Sequence, residues 1–262
     1  MIGGAPIVRP DFAAGNDLGE GIPPSKMLQD PPEREWMVEG CGVKGTVLLL
    51  SGDGKIGKSL IAMQLATCAV MGLPWLDLRV IPGKALVLAC EDDSDELRRR
   101  QRAINRHYRV SMEDVIEGGL YLHPRVARED NALMRPVYGQ MQKQPLFDRL
   151  AVACRRLGIQ YVIIDTAAQT FKGKQSDDQQ VTDFMNLLRR LAVLIDGLVV
   201  LLRHPSWSGI NEGSGRGGSM HWRNAARSML YMHKDKALGL VLEGKASNYG
   251  EDQAPIQLSW SK

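Results

Sequence analysis

Eight residues, GDGKIGKS at positions 52–59, follow a short apolar run and precede a stretch with helical character. Their spacing fits GxxxxGK[ST], a loop whose successive backbone N–H groups converge on phosphate oxygens at a helix N-terminus. The expected nucleotide contacts are Gly52, Asp53, Gly54, Lys55, Ile56, Gly57, Lys58, Ser59 and Leu60. Lys58 is expected to reach the β- and γ-phosphates, and the Ser59 hydroxyl to meet Mg²⁺. The implied ligands are ATP and Mg²⁺.

Two further carboxylates suit that chemistry. In YVIIDT (161–166), four apolar residues carry Asp165 to the end of a buried strand, where ligands bind in open α/β sheets. Asp165 is therefore expected to hold the metal through water, the alternative being a cap for the next helix. Many P-loop ATPases place a glutamate directly after this aspartate, but Thr166 stands there. LACEDD (88–93) offers Glu91 at the end of another strand as the base that orients the attacking water, provided that strand neighbours the P-loop strand. Asp92, Asp93 and Asp95 are expected to cap and charge the following helix.

The elements that must carry these residues alternate. TVLLLS (46–51), KALVLAC (84–90), IQYVIID (159–165) and LVVLL (198–202) are short apolar runs of the kind buried on both faces of a parallel sheet, and LYLH (120–123) is a further candidate. Helical stretches separate them: SLIAMQLATCAVMG, SDELRRRQRAINRHY (94–108), LFDRLAVACRRLG and DQQVTDFMNLLRRLAVLI. The alternation predicts an α/β fold, a mostly parallel sheet flanked by helices. Residues 124–145 read as irregular. RSMLYMH, ALGLVLEG and PIQLSW predict antiparallel strands added at the C-terminal edge. Residues 1–35 carry six prolines and little apolar period, which predicts a flexible arm or linker before a single domain at 36–262.

Composition sets the class. With 262 residues, 44% hydrophobic and 24% charged, the chain is long enough for one large α/β domain. A net charge of +3 and a pI near 8.7 permit an acidic partner without requiring one. Cys41, Cys68, Cys90 and Cys154 form no CxxC pair, which argues for a reducing compartment and against zinc. The longest apolar stretch, 191–202, is interrupted by Asp196 and Gly197 and is too short to span a bilayer. A soluble cytoplasmic protein without membrane contact is expected.

GDGKIGKS, a strand ending in CEDD, then VIIDT, then LLRHPS and a Gly/Ser-rich segment together resemble the RecA-like ATPases. More closely, they resemble plasmid and phage hexameric replicative helicases of the RepA type. The resemblance runs from about Gly45 to Tyr249. It implies that His204 links the γ-phosphate to a DNA-binding loop and that Arg227 is an arginine finger donated to a neighbouring subunit. Lys245, in GKASNYG, would be a late basic residue facing that site. Arg216 competes with Arg227, which is preferred because a rigid strand aims a guanidinium better than a glycine-rich loop does. The same resemblance implies a hexameric ring acting on single-stranded DNA. The segment 204–219 would touch the strand through Trp207, Arg216, Ser208 and Ser214. FKGKQSDDQ (171–179), with Lys172 and Lys174, is a second candidate DNA loop. Arg98, Arg102, Arg106 and Arg109 form a stripe on one helix, read as a solvated or subunit-contacting face or as a nucleic-acid surface. Two other functions fit the motifs: a monomeric P-loop kinase whose lid is 124–145, with Arg125, Arg128 and Arg135, and an ATPase that remodels or loads proteins.

Overall fold

Strand-forming runs with no polar face need cover on both sides, and the computed structural model shows how this chain provides it. It describes residues 21–205, 220–247 and 254–260. The chain divides into two units after Arg34. In the first, α1 (Pro24–Met27) starts on a proline, which the first turn of a helix tolerates.

The second unit holds the remaining elements. β1 (Trp36–Val38) and β2 (Gly42–Val43) pair into a small sheet. β3 (Thr46–Gly52), α2 (Lys58–Met71), β4 (Lys84–Ala89), α3 (Ser94–Tyr108), α4 (Met112–Glu117) and β5 (Leu120–Pro124) follow. After β6 (Met134–Val137) and β7 (Gln140–Lys143) come α5 (Pro145–Leu157), β8 (Ile159–Asp165), α6 (Ala167–Thr170), α7 (Asp178–Leu194) and β9 (Leu198–Arg203). α8 (Met220–Ala225), β10 (Ser228–Asp235), β11 (Gly239–Ser247) and β12 (Ile256–Leu258) complete it.

The main sheet runs β12-β11-β10-β3-β9-β8-β4-β5. From β10 to β5 every neighbouring pair is parallel, whereas β11 is antiparallel to both β10 and β12. This is the expected α/β architecture, a mostly parallel sheet with antiparallel strands at the C-terminal edge. Alternation of side chains across the pleat explains the apolar runs. Val47, Leu49, Ile164 and Leu201 pack on one face with residues of α5 and α7. Leu48, Leu50, Ile163 and Val200 pack on the other with residues of α2 and α3.

Local signals set the helix ends. Asp93 caps α3 by accepting from Glu96 N at 2.8 Å, with Asp95 and Glu96 in the first turn. Asp177 caps α7 in the same way, and Gly158 ends α5 in the left-handed region. Within the α3 stripe, Arg98 is exposed and pairs with Asp95 at 3.3 Å, one helical turn away. Arg102, Arg106 and Arg109 are also exposed.

One expectation fails in the middle of the chain. The stretch 124–145, expected to be irregular, holds the hairpin β6–β7. Its strands are four residues each and mostly polar, and Tyr138 and Gly139 take the two left-handed turn positions (φ 50° and 80°). Without an apolar period or an Asn-Gly turn, the sequence carried no hairpin signal. Cys41, Cys68, Cys90 and Cys154 are free and buried. Among the described residues no helix is long and apolar enough to cross a membrane.

Candidate active site

Because β3, β4, β8 and β9 run parallel, their C-terminal ends meet one edge of the sheet. The segment 52–59 leaves β3 there and turns into α2. Gly57 caps that helix with φ 99°, a conformation that suits glycine, and Lys55 has φ 62°. The turn exposes the first N–H groups of α2 to a bound anion.

Lys58 is buried, and its ammonium donates to Gly52 O at 2.7 Å and Asp53 O at 2.5 Å. It also lies 3.3 Å from His204 Nδ1, just beyond the end of β9. Burial lowers the Lys58 pKa to about 8, opposed by the charges of Asp165, Asp53 and Glu91. Burial and the Lys58 charge also lower the pKa of His204. Both effects favour the neutral imidazole, whose unprotonated Nδ1 can accept from the lysine.

Asp165 is 4% exposed at the end of β8. Burial raises its pKa to about 6; a hydrogen bond from the Ser59 side chain opposes that shift, and the Glu91 and Asp92 charges add to it. Its buried Oδ1 has no hydrogen-bond partner among the described residues. A hydroxyl beside a carboxylate with an open oxygen is a donor set that fits a hard cation such as Mg²⁺.

The condition attached to Glu91 is not met: β9 and β8 separate β4 from the P-loop strand β3. Glu91 nonetheless comes within electrostatic reach of Lys58, Asp165 and His204. Its Oε1 accepts from Thr166 Oγ1 at 2.9 Å. Thr166, which stands where many P-loop ATPases have a glutamate, thus holds the glutamate that follows the adjacent strand. Asp92 instead pairs with Arg100 at 2.5 Å.

Three residues that sequence reasoning missed tie this edge to its surroundings. Arg203, preceding His204, is buried and lies over the Trp222 ring at 5.1 Å. Trp222, on α8, is 1% exposed, makes edge contacts with Phe171 and Phe184, and donates from Nε1 to Gln175 O at 3.2 Å. Tyr231 on β10 donates to Asp53 Oδ1 at 3.4 Å. An arginine ending an apolar strand and a tryptophan just past a glycine-rich segment were the available signals.

Lys172 and Lys174 are exposed beyond β8, on the segment whose Gln175 holds Trp222. Trp207 and Arg216, with Ser208 and Ser214, lie outside the described residues. Arg227 is not on the strand that was expected to aim it but in the bend before β10. Ser228 aligns with Leu48 and Met232 with Gly52, so Arg227 lies roughly 16 Å along the sheet from its own phosphate loop. Lys245 is the extra residue of a β-bulge, between Gly244 opposite Leu230 and Ala246 opposite Met229. Its ammonium pairs with Glu243, which also binds His233 at 3.0 Å. Neither Arg227 nor Lys245 joins the group formed by Lys58, Ser59, Glu91, Asp165 and His204.

A family model described as an AAA domain matches residues 22–209, most of the chain, including the phosphate loop, Glu91, Asp165 and His204. It ends before β10. The chain belongs to the AAA domain family and is a P-loop ATPase.

Proposed function

We propose that this ATPase is a Mg²⁺-dependent motor of the RecA-like hexameric helicase type, turning ATP hydrolysis into translocation on, or unwinding of, DNA in plasmid or phage replication. One arrangement carries the reading. His204, 3.3 Å from Lys58, begins the segment 204–219, and Trp222, just past that segment, bonds to Gln175 beside Lys174. Both candidate DNA segments are therefore joined to each other and to the phosphate lysine. A change at the γ-phosphate has a short mechanical route to them.

Within the site, Lys58 neutralises charge on the β- and γ-phosphates, and Glu91 takes a proton from the attacking water. Ser59 and Asp165 would hold Mg²⁺, which polarises the phosphoryl oxygens. Thr166 orients Glu91, and His204 changes partner as Lys58 turns to phosphate. Arg227, remote from its own loop, would act only across a subunit boundary, as one member of a ring. Lys172, Lys174, Trp207 and Arg216 would contact the strand. In the phosphotransferase alternative, 124–145 would form the lid, but Arg125 is committed to Asp130 and to Asn131 at 2.8 Å.

The test combines native mass with ATPase rate, with and without single-stranded DNA. A ring whose turnover DNA accelerates supports the proposal; a monomer indifferent to DNA refutes it. Mixing Lys58→Ala and Arg227→Ala subunits should restore part of the activity if the arginine crosses the interface. Absence of recovery in verified mixed rings would remove Arg227 from the mechanism.

A further inference from the structure

The groups suited to the γ-phosphate all lie to one side of β3. His204, Asp165 and Glu91 follow β9, β8 and β4, which lie on one flank of the P-loop strand. A triphosphate held by 52–59 with its γ end toward them must direct its nucleoside to the other flank, toward β10, β11 and β12. β12 delivers an aromatic ring there. Leu258 aligns with Leu240, which aligns with Lys234, two residues beyond the pair Met232–Gly52. The end of β12 therefore reaches the same sheet edge as the phosphate loop. Trp260, two residues further, lies against Gly57: a Cβ on that glycine would collide with Trp260 Cζ2 and Cη2. The ring is nevertheless 47% exposed, whereas Trp222 and Trp75 are 1% exposed. A large ring fixed by one side to the phosphate loop, with the rest open, offers a flat polarisable surface.

We propose that Trp260 is the platform on which the base of the bound nucleotide stacks, and that it favours purines because their ring area is larger. An indole beside the N-terminus of α2 lies within reach of a base whose phosphates are held by that same N-terminus. Stacking removes the exposed part of the ring and the face of the base from water together. Trp260 lies beyond residues 22–209, so this contact is supplied by an element that the family match does not cover. The inference rests on the nucleotide site alone and not on the DNA reading, which the DNA-stimulation assay tests separately.

Calorimetric binding to the full chain tests it, with ATP, CTP and inorganic tripolyphosphate as probes. Trp260→Ala should weaken ATP about tenfold or more, weaken CTP less, and leave tripolyphosphate unchanged. Trp260→Phe should stay within about threefold of the parent for ATP, and Trp260→Leu should resemble the alanine variant. Because Trp260→Phe and Trp260→Leu both keep a large apolar side chain, they read the effect even if Trp260→Ala folds poorly. Unchanged ATP affinity in both Trp260→Ala and Trp260→Leu would overturn the proposal. So would an equal loss for ATP and tripolyphosphate, which would make the ring a prop for the loop.

Discussion

The two flanks of the P-loop strand solve different problems. On one, β9, β8 and β4 are parallel and, apart from exposed Lys84 and half-buried Gln160, entirely buried. They end in His204, Asp165 and Glu91, which face one another across the phosphate lysine. On the other, β10, β11 and β12 step outward to an antiparallel edge, and β12 is only partly buried. Their contacts with the loop are aromatic: Tyr231 on Asp53 and Trp260 on Gly57. The parallel flank holds polar, titratable groups at strand ends in fixed positions, as bond-breaking requires. The antiparallel flank offers surface, which suits recognition of the part of the ligand that does not react. Two tryptophans embody the contrast, one sealed in the core and bonded to Gln175, the other half open beside the loop.

Changes on the parallel flank should have the larger effects. Lys58→Ala should abolish turnover without unfolding the protein, measured as steady-state hydrolysis alongside a melting curve; a turnover near the parent value would break the comparison at its centre. Glu91→Gln should lower turnover about 10²–10⁴-fold with ATP affinity retained, because the amide cannot accept the proton of water. Near-parent hydrolysis in that variant would assign the base elsewhere.

Next in size is the contrast between tryptophans. Trp222→Ala removes a sealed ring and should cost about 3–5 kcal/mol in chemical denaturation. Trp260→Ala should stay within about 0.5 kcal/mol of the parent, as half-exposed positions usually do. Equal costs would mean that the antiparallel edge is as firmly packed as the core.

The smallest effect is a pH dependence. Lys58 in the free protein has a pKa of about 8, below the ordinary lysine value of 10.5, because burial disfavours its charge. Below pH 8 the ammonium is present; above it, ATP binding must draw in a proton. Affinity should fall with rising pH past about 8, by up to about tenfold per unit. Stability has the opposite sign: the unfolded chain holds this proton more tightly, so the lysine's unfavourable contribution fades between about pH 8 and 10.5. A flat affinity profile from pH 7 to 9.5 would contradict the burial of Lys58.

How legible all this was in the sequence depends on the range of the interaction. The α3 boundaries at 94 and 108 and the β8 boundaries at 159 and 165 could be read directly, because an acidic cap, a helical period and an unbroken apolar run are local signals. The hairpin at 134–143 could not, having short polar strands and an unusual turn. Arg227 was credited with a strand that begins one residue later; because that strand runs parallel to β3, its start lies at the sheet end away from its own loop, and strand direction is not a local signal. Glu91 was expected to need a strand next to β3; it reaches the site from two strands further away, held by Thr166.

The sequence by itself determined the phosphate loop, the alternation of strands with helices, and the strand-end carboxylates. Each depends on backbone geometry within a few residues. Only the tertiary structure decided that His204 meets Lys58, that Trp222 meets Gln175 and that Trp260 lies on Gly57. Those partners are far apart along the chain, and strand order brings them together. That order follows from which apolar faces can be buried together, a property of the whole sheet that no single stretch of residues encodes.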